Sequence, residues 1–306
     1  MGDKEGAQKT GSETATGYCS IRIRVKTPVH ITGLWLPIWS SDPLTSGSLG
    51  AGLLLSPSSI IDVHVDEAGN GVCEGLCIEP VEYIVKRYSV RVKVSLVKGY
   101  PLASGFAMSS SLSIAVGIAV AIASCSPLEK GLELAHEAEV VSGTGLGDVI
   151  VQSLGRAGLV LRKAPGAPGV GRVESYVVSH TPVLAVQLGT MTTAEMHRIL
   201  GDSLYRNATP LLVRVYEDPT LETFLDSANK FSKLVGFAPP YAEHLDVFVK
   251  RGWSLGWYVK KKVLVIVVER DRLEDIIAYL KKLKVGNTYL LELQPKPLEV
   301  EVVGGS

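Results

Sequence analysis

Small polar residues stand directly ahead of a long apolar stretch at residues 101–123, PLASGFAMSSSLSIAVGIAVAIA. The start of a helix leaves backbone N–H groups unpaired and carries the positive end of the helix dipole, so it attracts anions. A glycine and small serines at that place let a phosphate group approach the backbone, and the hydroxyls could bind the phosphate or a magnesium ion. From the local pattern alone, a serine-capped core helix is the simpler interpretation.

Two further residues could act on an acceptor group at such a site. Asp148 follows the glycine-punctuated loop SGTGLG at residues 142–147, where a carboxylate could orient or deprotonate a hydroxyl. His30 follows the first predicted strand and could neutralise that carboxylate or a phosphate. Simpler alternatives exist, because aspartate is a favoured helix cap and a lone histidine is commonly a satisfied residue at a strand end. Glu137 and Glu139 could likewise belong to a solvated helix face.

Alternation and capping patterns predict the elements that position these residues. The segment CSIRIRVKTP, residues 19–28, alternates apolar with charged residues, which indicates a strand with one solvated face. Ser126 as a cap followed by Pro127 predicts a second helix, up to residue 141, after the apolar helix ends near residue 124. Further strands are predicted at residues 60–65, 88–97 and 158–162, with a loop-rich stretch at residues 39–52.

The prolines and glycines of LRKAPGAPGVGR, residues 161–172, are unfavourable in helices and strands and indicate a domain boundary. We therefore expect an N-terminal domain at residues 18–172 and a C-terminal domain at residues 173–306, after a disordered leader at residues 1–17. The second half alternates predicted strands with predicted helices, which favours an α+β sandwich. The strands are predicted at residues 182–188, 263–268 and 289–293, and the helices at residues 192–200, 221–235 and 271–284.

The composition excludes several classes of partner and site. Lysine and arginine total 31 against 31 acidic residues, so no general attraction to nucleic acid or to an anionic membrane is expected. The four cysteines have neither zinc-site spacing nor the density of a disulfide scaffold, which favours a reducing, cytoplasmic compartment. The longest apolar run, residues 114–123, is shorter than the roughly 18 residues of a membrane-spanning helix. We therefore interpret the protein as soluble.

The segment ahead of the apolar helix resembles the phosphate-binding motif of the GHMP kinases, a superfamily of small-molecule kinases. Pro101, Gly105 and Ser109 match the motif PxxxGLGSSAA. The chain departs from the motif at residues 106–108, where Phe-Ala-Met replaces Leu-Gly-Ser.

Two more motifs of that superfamily follow in the same order. KTPVHIT resembles a proline motif that often carries a lysine two residues beyond the proline, where this chain has His30. Asp148 falls at the position of the family's catalytic aspartate. Glu139 resembles the glutamate that helps to hold magnesium, with Glu137 as the alternative, because the spacing to the glycine loop is about one residue short.

One branch of the superfamily, the archaeal pantoate kinases, resembles the chain more closely than the superfamily at large. The resemblance lies in PVHITGLWLP (residues 28–37), DPLTSGSLGAG (42–52), GFAMS (105–109) and PGAPG (165–169). It implies a two-domain fold, with a ribosomal-protein-like N-terminal α/β domain and a ferredoxin-like C-terminal α+β sandwich. It also implies phosphoryl transfer from ATP to the primary hydroxyl of pantoate, in coenzyme A synthesis, with magnesium neutralising the phosphate oxygens.

The resemblance implies a role for each candidate residue. Asp148 would polarise the acceptor hydroxyl, and His30 would neutralise Asp148 or the transferring phosphoryl group. Ser109 and Glu139 would hold magnesium, and Thr32, Ser48 and Gly50 would bind the acceptor, with GSLGAG as a possible backbone nest for its carboxylate. The predicted nucleotide-binding residues are Pro101, Ala103, Ser104, Gly105, Phe106, Ala107, Met108, Ser109 and Ser110. Related enzymes are often homodimers.

Two other functions stay open at this level. The first is a GHMP kinase for another small alcohol, such as homoserine, mevalonate or shikimate. The second is a non-catalytic nucleic-acid-binding module, because the phosphate-binding domain shares its fold with RNA-handling proteins. The balanced charge and the lack of a basic aromatic stripe count against this second function.

Overall fold

Strands and helices are placed along residues 18–66 and 70–305, the part of the chain that this computed structural model describes. The leader predicted at residues 1–17 lies outside it. The strands are β1 (Ile21–Ile38), β2 (Gly47–Asp66), β3 (Val72–Gly75), β4 (Arg91–Lys98), β5 (Leu159–Ala164), β6 (Arg172–Tyr176), β7 (Pro182–Gln187), β8 (Ser254–Lys260), β9 (Val263–Val268), β10 (Asn287–Glu292) and β11 (Glu299–Gly305). The helices are α1 (Glu79–Tyr88), α2 (Met108–Ala123), α3 (Leu128–Val141), α4 (Asp148–Leu154), α5 (Thr193–Leu200), α6 (Ser203–Glu217), α7 (Leu221–Leu234), α8 (Ala242–Lys250) and α9 (Leu273–Leu283), and a 3-10 turn covers Arg270–Arg272.

Two long antiparallel strands form the centre of the first sheet. β1 has 18 residues and β2 has 20, and they pair along almost their whole length. β4 and β5 pair with different parts of β2, β3 runs parallel to β4, and β6 pairs with β5. A second antiparallel sheet has the strand order β10-β7-β9-β8, and β10 joins it to β2 through the pair Glu292 and Ser56. The architecture confirms the predicted α+β class.

Two strand pairings cross the division predicted at residue 172. β6 begins there and pairs with β5 in the first sheet. β11, at the end of the chain, pairs antiparallel with β1 and also belongs to the first sheet. The chain therefore returns to its N-terminal half after it has formed the second sheet.

The apolar stretch that follows the phosphate-binding motif is the central helix α2. It is apolar on every side, as expected of a helix that is buried all round. Gly117 of α2 and Gly131 of α3 let the two backbones touch, because a Cβ on Gly117 would lie 2.2 Å from the carbonyl oxygen of Gly131. This close approach brings the C-terminal part of α3 beside the N-terminal part of α2.

A shared core joins the two halves of the molecule. Trp35, near the end of β1, meets Phe231 of α7 edge to face, with ring centroids 5.1 Å apart. Phe224 of α7 packs in the same way against Tyr258 of β8, whose hydroxyl donates a hydrogen bond to the carbonyl of Ile31 on β1. The second sheet is therefore fixed against the end of β1 rather than tethered by a linker.

The expectation of a loop at residues 39–52 is wrong in its second half, because β2 begins at Gly47. The glycines of GSLGAG are extended, and they allow close packing instead of a turn. A Cβ on Gly50 would lie 2.1 Å from Nη2 of Arg162, and one on Gly52 would lie 2.5 Å from Nε2 of His30. The predicted Ser126 cap is also wrong, because α3 is preceded by Pro127 and has no side-chain cap.

Cys73 of β3 and Cys77, just before α1, form a disulfide, which the reducing compartment favoured by the cysteine pattern did not lead us to expect. Gly75 lies between them with φ +87°, a left-handed conformation that lets the chain turn sharply enough to bring the two together. Cys19 and Cys125 are free. Within the described residues, none of the helices has the length and apolar character needed to cross a membrane.

Candidate active site

The loop ahead of α2 has an unusual backbone that the second half of the chain holds in place. Ala103, Gly105 and Ala107 have φ values of +53°, +123° and +55°. The carbonyl of Ala103 accepts a hydrogen bond of 2.7 Å from the backbone N–H of Met191. Non-glycine residues rarely adopt such angles, so the loop is fixed in a shape that sequence propensity alone does not favour.

Side chains of the loop are divided between the core and an adjoining cavity. Phe106 is buried and stacks on Tyr100 with ring centroids 5.2 Å apart, so the departure from the GHMP motif at this position gives the loop an anchor. Ser104 is also buried, and its hydroxyl donates to the carbonyls of Leu102 and Gly189. The hydroxyl of Ser110 donates back to the carbonyl of Ala107 within the first turn of α2.

The cavity beside this loop has a volume of about 590 Å³. Its lining includes each predicted nucleotide-binding residue except Ser104. The opposite wall is formed by residues 77–80 at the start of α1, by the loop at residues 142–144, and by residues 192–194 at the start of α5. A phosphate-bearing ligand in this cavity would meet the N-terminus of α2, as the motif predicts.

Glu139 of α3 lies buried at the edge of this cavity. One of its carboxylate oxygens accepts hydrogen bonds from Ser109, at 2.5 Å, and from Ser113, at 2.9 Å. Burial raises the pKa of Glu139 to about 7, despite these two donors. Glu137, the sequence alternative, is instead bound to Tyr83 and Arg87 of α1.

The donor set suits magnesium, which prefers oxygen ligands and usually takes one or two protein groups together with substrate phosphates and water. Glu139 and Ser109 supply a carboxylate and a hydroxyl at the cavity that contains the phosphate loop. Glu139 therefore fits the metal role better than Glu137 does.

Asp148 and His30 contact each other, as the sequence predicts. Nδ1 of His30 and Oδ1 of Asp148 are 2.6 Å apart. Although burial by itself would raise the pKa of Asp148, the hydrogen bond from His30 and the nearby charges of Arg162 and Lys260 lower it well below its usual range. Asp148 begins α4, and its side chain bonds His30 instead of capping the helix. Asp148 is therefore ionised.

His30 holds Asp148 but does not reach either cavity. Its side chain is fully buried, and burial lowers its pKa, so the imidazole is neutral and its Nδ1–H donates to Asp148. The other ring nitrogen, Nε2, is buried without a hydrogen-bond partner among the described residues and faces Gly52. His30 can therefore orient Asp148, but in this geometry it does not neutralise a phosphate.

A second, smaller cavity adjoins the first and shares Asp148 with it. Predicted acceptor-binding residues Thr32 and Ser48 line it, whereas Gly50 lies behind them and donates its N–H to the hydroxyl oxygen of Tyr216 at 3.2 Å. The proposal of a backbone nest in GSLGAG is wrong, since these residues form an extended, paired part of β2. Arg162 is one of the cations that line this cavity instead.

Arg162 is the functional candidate that the sequence interpretation missed in the acceptor cavity. It is 2% exposed, and its strongest side-chain contact is a long hydrogen bond of 3.4 Å from Nη1 to the hydroxyl of Thr32. Among the described residues it has no carboxylate partner, and its Nε has no hydrogen-bond partner. A buried guanidinium without a bonded carboxylate is costly even with the charge of Asp148 nearby, so this site suits an anionic ligand. The signal in the sequence was an arginine directly after the apolar run LVL in the strand LVLRKA.

Two lysines from the second half, also missed, complete the site. Lys260 at the end of β8 and Lys261 in the following turn line both cavities. Lys261 donates to the hydroxyl of Thr193 at 2.7 Å, and that hydroxyl donates to the carbonyl of Thr144 at 2.6 Å. The site therefore lies between the two halves, with contributions from both.

Comparisons with known proteins agree with this geometry. Residues 76–156 match the family of GHMP kinases N terminal domain. The chain is 29% identical to the pantoate kinase of Thermococcus kodakarensis over 76% of this chain and 84% of the relative. It is also 29% identical to the pantoate kinase of Methanocaldococcus jannaschii, over 86% of this chain and 98% of the relative.

A solved structure has a similar fold. A solved phosphotransferase related to the CoA biosynthesis pathway superposes with a TM-score of 0.76 at 24% identity, over 93% of this chain and 100% of that one. The match of residues 76–156 to the GHMP kinases N terminal domain and this shared fold both agree with the phosphate loop found ahead of α2.

Proposed function

We propose that this protein is a pantoate kinase that transfers a phosphoryl group from ATP to the primary hydroxyl of pantoate and forms 4-phosphopantoate for coenzyme A synthesis. The observation that carries this proposal is the position of Asp148, which lines both the cavity with the phosphate loop and the cavity with Arg162. A group that faces both ligands is what phosphoryl transfer between them requires.

The nucleotide would occupy the larger cavity, with its phosphates at the N-terminus of α2. Backbone N–H groups of the first turn of that helix have no partners within the helix and so can bind phosphate oxygens. Ser109 and Glu139 would hold a magnesium ion, which neutralises phosphate charge when bound. Residues 77–80 and 192–194 would enclose the remainder of the nucleotide.

The acceptor would occupy the smaller cavity, with its carboxylate on Arg162. Charge-assisted hydrogen bonds to a guanidinium fix both the position and the plane of a carboxylate. Thr32 and Ser48 are near enough to Arg162 to bind acceptor oxygens, since Thr32 contacts its guanidinium and both line the same cavity. This arrangement would direct the acceptor hydroxyl towards Asp148.

Asp148 would accept a hydrogen bond from the acceptor hydroxyl and orient it for attack. Its low pKa makes it a weak base, so orientation and electrostatic stabilisation are its main contributions, with proton transfer late in the reaction. His30 would hold the carboxylate in this orientation through the 2.6 Å hydrogen bond.

An acceptor panel tests this function directly. Pantoate, homoserine, mevalonate and shikimate all carry a carboxylate, so Arg162 alone does not discriminate among them, and each is assayed with ATP and magnesium by ADP release. We expect the highest kcat/KM for pantoate, and a fall in kcat of at least about 100-fold in Asp148→Asn, which keeps the shape of the side chain but loses its charge. A higher kcat/KM for another acceptor would refute the substrate, and an unchanged kcat in Asp148→Asn would refute the role of Asp148.

Two further properties belong to the same proposal. ATP is a cytoplasmic substrate, and we place the protein in the cytoplasm on that ground. We also propose a homodimer, by analogy with related enzymes, and expect light scattering to give twice the chain mass of 32.7 kDa. A monomer mass at micromolar concentration would refute this assembly.

A further inference from the structure

The end of β8 brings one lysine across the cleft to the point where the two cavities meet. Lys260 lines both cavities, as do Asp148 and Thr32. Its backbone carbonyl also lies against the phosphate loop, because a Cβ on Gly105 would be 2.8 Å from it. Lys260 is thus one of the residues of the second half that border both the predicted phosphate site and the predicted acceptor site, together with Lys261 and Thr193.

The ammonium group of Lys260 has no polar partner among residues 18–66 and 70–305. Its Nζ lies over the ring of Trp35, 3.1 Å from the centroid, and forms neither a hydrogen bond nor an ion pair there. A cation over an aromatic face is partly compensated, but the three N–H donors of an ammonium still require acceptors. The donors are therefore free for a ligand in the cleft.

The surrounding charges favour an anion at this place. Burial lowers the pKa of Lys260 well below its ordinary value, the positive charges of Lys261 and Arg162 act in the same direction, and Asp148 opposes them. The groups that face Lys260 are therefore mostly cationic. A phosphoryl group would supply negative charge there and favour the protonated form of the lysine.

We propose that Lys260 is the cation that contacts the phosphoryl group during its transfer, a part that the sequence motif suggested for His30. This inference rests on the proposed kinase function. His30 is buried behind Asp148 and lines neither cavity, whereas Lys260 lines both. Lys261 is already bound to Thr193, and Arg162 lies in the acceptor cavity only.

The step that Lys260 assists is a displacement at the γ-phosphorus. The acceptor oxygen forms a bond to that phosphorus while the bond from phosphorus to the bridging oxygen breaks, and the electron pair of the broken bond leaves with ADP. The hydroxyl proton passes to Asp148 and from there to solvent. Negative charge spreads over the oxygens of the transferring group, where an ammonium placed in advance stabilises the transition state.

Kinetics of Lys260→Met, Lys260→Arg and Lys262→Met test this assignment. Lys262 is the matched control, because it follows Lys260 in the same hairpin but lines a separate cavity beside residues 236–241. We expect Lys260→Met to lower kcat about 100- to 1,000-fold, with KM for ATP and pantoate changed less than about 5-fold. Lys260→Arg should recover part of kcat, and Lys262→Met should keep all of it.

The outcomes separate this inference from the proposed function. If the wild-type protein phosphorylates none of the acceptors, the kinase function itself fails. If it phosphorylates pantoate and folded Lys260→Met keeps its kcat, or loses only substrate affinity, the role of Lys260 is refuted.

A measurement on the wild-type protein covers the case in which Lys260→Met does not fold. Reductive methylation of lysines, followed by peptide mass spectrometry, gives the reaction rate at each amine. We expect ADP, aluminium fluoride and pantoate together to slow methylation of Lys260 at least about tenfold relative to Lys262, because aluminium fluoride mimics the phosphoryl group in transit. Equal rates with and without these ligands would overturn the assignment.

Discussion

Replacement of Arg162 by methionine should have opposite effects on acceptor binding and on stability. The guanidinium is 2% exposed and has no carboxylate partner among the described residues. A hydrogen bond to a charged group contributes about 1.5–3 kcal/mol, and each 1.4 kcal/mol is a factor of about ten in affinity. We therefore expect Arg162→Met to raise KM for pantoate about 10- to 150-fold, with a much smaller change in KM for ATP.

Stability should not fall in the same variant. Methionine fills much of the same volume and removes a buried charge that has no bonded carboxylate, so the free energy of unfolding should be unchanged or higher. Urea denaturation of the ligand-free protein measures this free energy of unfolding. Arg172→Met is the control, because Arg172 lies on the neighbouring strand β6 with 67% of its side chain exposed and should affect neither property.

Two results would refute this reasoning. If Arg162→Met loses several kcal/mol of stability while KM for pantoate stays unchanged, Arg162 is a structural residue. If Arg162→Lys binds pantoate as tightly as the wild type, recognition depends on charge alone and the planar geometry of the guanidinium has no part in it.

Two more changes test the metal site and the helix contact that positions it. The carboxyl of Glu139 has a pKa of about 7 in the folded protein and about 4.5 in the unfolded chain. The folded state therefore keeps a proton that the unfolded state loses, and the stability of the wild type should fall as the pH rises from 4.5 to 7. In urea denaturation without metal, Glu139→Gln should therefore be more stable than the wild type at pH 8, by up to roughly 3 kcal/mol. This advantage should disappear near pH 4. The variant should also no longer gain stability from magnesium. An advantage that is equal at both pH values would contradict the buried carboxyl. Gly117→Ala should destabilise the protein by about 1–3 kcal/mol, because its Cβ would meet Gly131. The control Gly304→Ala should be neutral, because no atom lies near the added Cβ. Equal stabilities of these two variants would refute the close contact between α2 and α3.

Local sequence patterns predicted the elements that are buried uniformly. The helix α2 ends within a residue of the predicted end, and the strand β9 has both of its predicted ends, residues 263 and 268, because continuous burial leaves one dominant signal. In GSLGAG the glycines led instead to a wrong prediction of a loop. A glycine that permits a turn and a glycine that permits close packing look the same in a sequence, and only the neighbours Arg162 and His30 decide between them.

The site residues that belong to a short sequence motif could be predicted. The phosphate loop, Asp148 and Glu139 all lie where their motifs indicate, and the contact between His30 and Asp148 is present. Lys260 was not predictable, because alternation along β8 shows only that Tyr258 and Lys260 share a face. Which face meets the cleft depends on packing between the two halves, and that information is not local.

The length of β1 limits how the cleft can open. The first part of this strand, with Ile23 and Val25, lies in the core beside α2, and the later part, with Ile31 and Leu34, lies in the core beside α7. A rigid-body swing of one half away from the other would have to bend this continuous strand and separate both cores. Substrate exchange therefore depends on shorter segments that line the cleft, such as the first turn of α5, which is bound to the glycine loop through Thr193.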